Sequence, residues 1–340
     1  MNNTFLLACK GQKTSYTPIW LMRQAGRYMS EYRQMRQRYD FLTLCKTPEL
    51  AVEVTLQPVD LLGVDAAILF SDILIPIEPV GFELEFSDKI GPVIHNPIRD
   101  RDSLKHLKKL EPDQTLQFLK DTIMMLKREL NVPLIGFSGA PFTLATYLVE
   151  GGVSKNFVHT KAILYGDKDF FDELMEYLTQ LVIDYLDYQI RSGVDAIQIF
   201  DTWLGILTPK DIVEIVSRYI NYIIEEIKKI YDLPVIYFPF NCGAVMDTFN
   251  DCKADVLGID WRVDIGNMVN IIKNKAIQGN LDPCALFGSK KYIKNNALDI
   301  ISKAKGLKGH VFNLGHGILP DTPFDNVRYL VEIVKNSDRL

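Results

Sequence analysis

Cysteine is scarce and scattered in this 340-residue chain. Its five residues (Cys9, Cys45, Cys242, Cys252 and Cys284) include no Cys-x-x-Cys pair. An odd, dispersed set argues against a disulfide framework and fits reduced thiols in the cytosol. Long apolar runs are missing too. Nothing approaches a membrane span, and the apolar stretch from Phe5 to Cys9 is too short for the core of a secretory leader. A cytoplasmic protein is therefore the expectation. Basic excess is absent as well: 38 Lys+Arg stand against 43 Asp+Glu, a formal charge of -5. That balance argues against a general binder of nucleic acid or anionic membrane. No G-x-G-x-x-G follows any apolar run, which counts against a doubly wound dinucleotide-binding sheet. No Gly/Ser linker or low-complexity tract divides residues 1–340, so one domain is expected.

What is present is a strong alternation. A faint internal repeat aligns LGVDAAILFSD (62–72) with SGVDAIQIFDT (192–202), and ADVLGIDW (254–261) is a looser third copy. In the first two copies a helix is expected to end at Gly63 or Gly193, where glycine tolerates a left-handed C-cap. A branched apolar run follows, of the kind buried on both faces of a parallel sheet. Similar runs occur at 18–22, 132–137, 234–238, 276–281 and 310–315, making eight in all. Helical patterns lie between most of them. One is expected to begin at Thr47-Pro48-Glu49, with Thr47 as cap, and another runs over 171–190. Eight strand–helix units read as a (β/α)8 TIM-type barrel. Residues 77–95 alternate like a β-hairpin and are expected as an insertion after the second strand. An open doubly wound sheet is the competing fold.

Barrels of this kind carry their chemistry at the C-terminal strand ends. That rule converges Arg23 and Arg27, Ser71 and Asp72, 138–143, Asp201 and Thr202, Asn241 and Cys242, Asp260, Asp282 and His316. The N-terminal arginines then gain an address. Arg23, Arg27, Arg33, Arg36 and Arg38 crowd into sixteen positions of an acidic chain. The last three fit a solvated helix face with Ser30 as cap. Arg23 and Arg27 leave the first strand through Gln24-Ala25-Gly26, and guanidiniums at a barrel mouth suit forked recognition of carboxylate or phosphate. Their structural alternative is an ion pair with a strand-end carboxylate such as Asp260. Asp72 read alone is a candidate cap, Tyr147 a candidate core residue, and His316 sits between two glycines that allow either close approach or a turn.

PIWLMRQAGRYMSEYR (18–33) resembles the N-terminal signature of the uroporphyrinogen decarboxylase family, and GFSGAPFTLATYLVEGG (136–152) resembles its second signature. FSDIL, QIFDTW and FNLGHGILPDTP follow in the family's order and spacing, so the resemblance runs from about Thr17 to Val334. It implies a (β/α)8 barrel that removes carbon dioxide from the four acetate side chains of uroporphyrinogen III, giving coproporphyrinogen III. It implies substrate contacts at Arg23, Gln24, Ala25, Gly26, Arg27, Asp72, Tyr147, Thr202 and His316, with Asp72 binding the central pyrrole NH groups. At position 202 some relatives carry serine; threonine keeps the hydroxyl. The partner implied is an octa-carboxylate tetrapyrrole, and the assembly a homodimer.

No cofactor is expected, because a pyrrole protonated on a ring carbon is its own electron sink. Asp72 is expected to stay ionised, with Arg and NH donors outweighing burial. The proton donor stays open between Arg23 and a bound water. Corrinoid or thiol methyltransferases of the same superfamily use zinc on a His-x-Cys pair and a later Cys. Here those positions read Asn241-Cys242 and His316, so no metal is expected. GFSGA (136–140) departs from a serine-hydrolase elbow at Ala140. A non-catalytic tetrapyrrole binder would keep the arginines and dispense with Asp72.

Overall fold

A computed structural model describes residues 2–87 and 90–337. Nine strands occur among them: β1 (Ala67–Ile68), β2 (Leu84–Ser87), β3 (Gly91–Ile94), β4 (Leu134–Gly139), β5 (Ala196–Asp201), β6 (Val235–Pro239), β7 (Val256–Gly258), β8 (Ala276–Leu281) and β9 (His310–Leu314). Seven form one parallel sheet in the order β1-β4-β5-β6-β7-β8-β9, while β2 and β3 pair antiparallel by themselves. Each parallel step except β6 to β7 and β7 to β8 is bridged by at least one long helix, such as Lys290–Lys303 between β8 and β9; those two steps carry only the 3-10 segment Gly243–Asn250 and the short helix Ile265–Ile271. The result is a curled α/β sheet. The helix Pro48–Leu62 closes on Gly63 at φ 70°. Thr47 does precede that helix, but its side chain makes no capping bond, and Ser30 is the first residue of its helix rather than the cap.

Segment 18–22 differs from the expected strand. It makes a single parallel bridge, Ile19 to Phe312, flanked by Phe312 N–H to Pro18 O (2.8 Å) and Asp65 N–H to Ile19 O (2.7 Å). The reason lies in its backbone donors. Ile19 N–H goes to Asp65 Oδ2, Leu21 N–H to Gln24 Oε1 and Met22 N–H to Asn313 Oδ1, all within 3.1 Å. Side chains have taken the groups that a ladder would need.

The aspartate of the internal repeat has a shared task. Asp65 Oδ2 accepts from Ile19 N (3.0 Å), Asp195 Oδ2 from Leu134 N (2.8 Å) and Asp255 Oδ2 from Val235 N (2.9 Å). Each carboxylate therefore holds a backbone N–H near the start of the preceding run. A lysine balances every one: Lys335, Lys127 and Lys228. The repeat is thus a structural device at the N-terminal ends of the strands.

Inside the sheet lie Trp20, Met22, Ala66, Ile135, Ala196, Ile236, Phe238, Val256, Ala276 and Val311, with Phe5, Ala8 and Cys9 of the helix Thr4–Cys9 below them. A polar chain crosses this apolar interior: Trp20 Nε1 donates to Gln278 Oε1 (2.9 Å), and Gln278 Nε2 to Gln198 Oε1 (3.0 Å). A second, larger core packs the outer faces of the strands against the helices.

Candidate active site

The C-terminal strand ends open onto an aromatic floor. Phe137 stands edge-on to Phe200 (5.6 Å between centroids), Phe200 to Phe238 (6.3 Å), and Phe238 is followed by Phe240 (6.1 Å). His316 meets the Phe240 ring at 4.7 Å. Such a surface suits the apolar body of a flat or dished heterocycle, whose charged substituents would then reach the rim.

Arg23 is held on that rim in a left-handed backbone conformation (φ 59°), uncommon for a side-chain-bearing residue. The turn is fixed by Gln24, whose side chain points inward. It accepts from Leu21 N (3.1 Å) and donates to Ala66 O (3.1 Å), while Tyr28 Oη donates to Gln24 O (2.6 Å). Ala25 and Gly26 are half-buried, and Arg27 is exposed. Among the described residues neither Arg23 nor Arg27 has an ion pair. Asp260, their candidate partner, instead accepts from Asn241 N (2.8 Å) and Arg262 N (2.8 Å) and pairs with Arg262. Arg33, Arg36 and Arg38 lie on the helix Ser30–Arg38; Arg33 donates to the carbonyls of Arg27 and Tyr28 (2.9 and 3.0 Å) and so braces the turn.

Asp72 follows β1, half-buried, with Oδ1 accepting from Leu74 N (2.9 Å). Burial pushes its carboxyl up to about 6, against the lowering effects of the Leu74 N–H and the Arg23 charge. The sequence expectation that donors and arginines outweigh burial refers to the site with substrate in it; in the protein by itself burial is the larger effect. That expectation counted pyrrole NH groups and both arginines, whereas in the protein itself one N–H and one guanidinium oppose desolvation. Tyr147 joins the same group. Burial first, then the Asp72 charge, raises its phenol, while Trp203 and Arg23 act the other way. Its ring packs against Trp203 at 6.0 Å. His316 completes the set: burial, then the charges of Arg23 and Arg262, lowers it to about 4, so its imidazole is neutral near pH 7.

Arg23, Asp72 and Tyr147 are therefore mutual electrostatic neighbours, and His316 joins them through Arg23. Thr202 stands half-buried at the end of β5 on the same rim, with no such link to the four. Asp201 beside it is buried, bound by Thr143 Oγ1 and Tyr237 Oη at 2.8 Å each, and serves the wall. Cys242 is buried and its thiol faces Phe240 O.

The two glycines around His316 act through close approach. A Cβ at Gly317 would stand 2.7 Å from Arg23 Cγ, and one at Gly315 would strike the backbone N of Trp261. Sequence reasoning missed Arg262, which sits one residue past the Asp260-Trp261 strand end that the barrel rule singles out. It also missed the phenylalanine floor, whose residues read as ordinary strand apolars. A separate cavity of about 470 Å³ lies at the opposite, N-terminal strand ends. Its Lys10 and Lys228 are already paired with Asp232 and Asp255.

A model of the uroporphyrinogen decarboxylase family matches residues 1–337. A uroporphyrinogen decarboxylase of Thermodesulfovibrio yellowstonii is 50% identical over 98% of this chain and 98% of its own length. That of Chloroflexus aurantiacus is 49% identical over 99% of this chain and 96% of its own. Among solved structures, a methyltransferase from Methanosarcina mazei superposes with a TM-score of 0.77 at 18% identity, over 100% of this chain and 99% of that one. The last likeness is one of fold.

Proposed function

We propose, from the premise that this chain belongs to the uroporphyrinogen decarboxylase family, that the mouth around Asp72 is its active site. The chain is a carboxy-lyase that decarboxylates uroporphyrinogen in porphyrin biosynthesis. The finer reading is that it converts all four acetates to methyls. The observation that carries the site is the grouping of Asp72 with Arg23, Tyr147 and His316, with Arg23 and Arg27 making no ion pair among the described residues. Unpaired arginines on an acidic protein supply a local positive field for a polycarboxylate.

In this reading the macrocycle rests on the phenylalanine floor, its NH groups on Asp72 and its carboxylates on Arg23 and Arg27. A proton added to a pyrrole ring carbon leaves positive charge at the nitrogen, beside the Asp72 carboxylate. The bond to the acetate carboxyl then breaks, CO2 leaves, and the bonding pair flows into the ring. A second proton converts the resulting methylene to a methyl, and the ring carbon gives its proton back. One proton is consumed for each CO2 released. Asp72 stabilises the cationic states as a preorganised counter-charge. Neutral His316 and the Tyr147 phenol line the cleft without adding charge, and Thr202 contributes a hydroxyl to the rim. The substrate acts as its own electron sink, so we read the reaction as needing no cofactor or metal.

On the same reading, segment 18–22 is the eighth stave of a closed barrel, β2–β3 is an insertion after its second strand, and residues 1–340 are one domain. We also read the enzyme as a cytoplasmic homodimer. The test is anaerobic incubation with uroporphyrinogen III, with product carboxylates counted by mass and EDTA added to a parallel sample. Four CO2 released per substrate, unchanged by chelation, is the expected result. Intact octa-carboxylate would overturn the function, and loss of turnover with a bound metal would overturn the metal-free chemistry.

A further inference from the structure

Arg262 is a mouth arginine outside the family signature carried by 18–33. It follows β7, which lies four strands along the sheet from β1 and its Asp72. In an eight-stave barrel that is the opposite side of the mouth. Its guanidinium lies over the Trp261 ring at 4.2 Å and near the Phe240 ring at 5.1 Å. Phe240 in turn meets His316, and the adjoining Gly317 makes room for Arg23. Arg262, Phe240, His316 and Arg23 thus form one contiguous arc.

The anchoring of Arg262 leaves its donors available. The Asp260 carboxylate is buried and spends both oxygens on backbone N–H groups at 2.8 Å. Arg262 Nη1 reaches it at 3.4 Å, a long, one-pronged contact, and the side chain stays 47% exposed. A planar group held against two rings has already given up much of its rotamer freedom, so less is lost when it binds a ligand. Arg218, by contrast, is paired with both Asp172 and Glu176.

We infer that Arg262 is a substrate-binding residue that takes one carboxylate of the polycarboxylate substrate, on the side of the mouth facing Arg23 across His316. This rests on the decarboxylase reading above. It makes a specific division of labour: Arg23 and Asp72 serve the reacting ring, and Arg262 fixes how the macrocycle is seated.

Three variants test it with uroporphyrinogen III under anaerobic steady state. Arg262→Ala should raise KM about tenfold to a hundredfold, the loss of a charge-assisted pair, with kcat changed much less. Arg262→Lys, which keeps the charge, should recover part of that loss. Arg262→Met, which keeps an apolar stem on Trp261 and Phe240, should not. The rise of KM with added salt should also be shallower in Ala and Met than in the wild type. A merely structural role predicts the reverse pattern, with Met restoring KM and all effects tracking melting temperature; that result would overturn the inference, as would a wild-type KM in the Ala variant. A wild type that releases no CO2 would instead bring down the decarboxylase reading, and this inference with it.

Discussion

Asp72 concentrates the functional argument at the level of single residues. Its carboxyl is pushed up to about 6 by burial, so it is ionised at pH 7 and protonated in mild acid. Since kcat/KM reports groups of the free enzyme, it should fall below about pH 6 as the counter-charge is lost. Asp72→Asn keeps size and an acceptor for Leu74 N–H but removes the charge. Turnover should drop roughly a hundred- to a thousandfold, about 2.7–4 kcal/mol, while the melting temperature at pH 7 does not fall, since a buried charge is removed. Asp72→Glu should retain more. If Asp72 were only a cap, Asn would serve as well and the acidic limb would persist in the variant. The arginines divide similarly. Arg23→Ala and Arg27→Ala should each lose about 1.5–3 kcal/mol of transition-state binding, read as kcat/KM, while Arg38→Ala on the exposed helix face should do far less. Equal losses from all three would remove the special place of the first two.

Elements explain how those residues are brought together, and here glycine is decisive. Gly315 lies against the backbone of Trp261, which cannot yield easily, whereas Gly317 lies against the side chain of Arg23, which can. Gly315→Ala should therefore cost stability, about 1–3 kcal/mol, as strands β7 and β9 are forced apart at their ends. Gly317→Ala should leave the melting temperature nearly unchanged and raise KM by displacing Arg23. Identical melting curves for the two would refute this distinction. The sequence already carried much of this layout. Apolar runs ended by polar residues located all seven strands of the parallel sheet, and the position rule brought Arg23, Asp72 and His316 to one mouth. Segment 18–22 read as a strand because apolar pattern reports burial, not which partner takes each backbone N–H; Asp65, Gln24 and Asn313 took three of them. The repeat was visible, yet the task of its aspartate was not, since the bond from Asp195 to Leu134 N joins residues far apart in the chain. Arg262 was hidden for a simpler reason: one exposed arginine in a charged surface has no pattern of its own.

The whole molecule sets charge and protonation against burial, and its stability in acid should show two opposing trends. His310 and His316 are held neutral, lowered to about 4 mainly by burial. Between pH 6.5 and 4 the unfolded chain takes up protons at these positions and the native chain does not, so each histidine lowers stability as pH falls. Asp72 and Asp201 are raised to about 6, again chiefly by burial. Between pH 6 and about 4 the native chain holds protons that the unfolded chain releases, so each aspartate raises stability as pH falls through the same window. Shifts of comparable size and opposite sign should leave the wild-type melting temperature only weakly dependent on pH there, which by itself would look like an absence of buried titrating groups. Two variants separate the trends. His310→Gln keeps a donor for Gly279 O, which His310 Nε2 meets at 2.9 Å, but removes the titration. Asp201→Asn keeps the size, with its oxygen accepting from one of the Thr143 and Tyr237 hydroxyls and its NH2 donating to the other. Relative to wild type, the melting temperature of His310→Gln should improve as pH falls from 6.5 to 4, and that of Asp201→Asn should worsen from 6 to 4. Parallel curves for both would mean that these buried groups do not set the acid response, and that the near-flat wild-type profile has another origin.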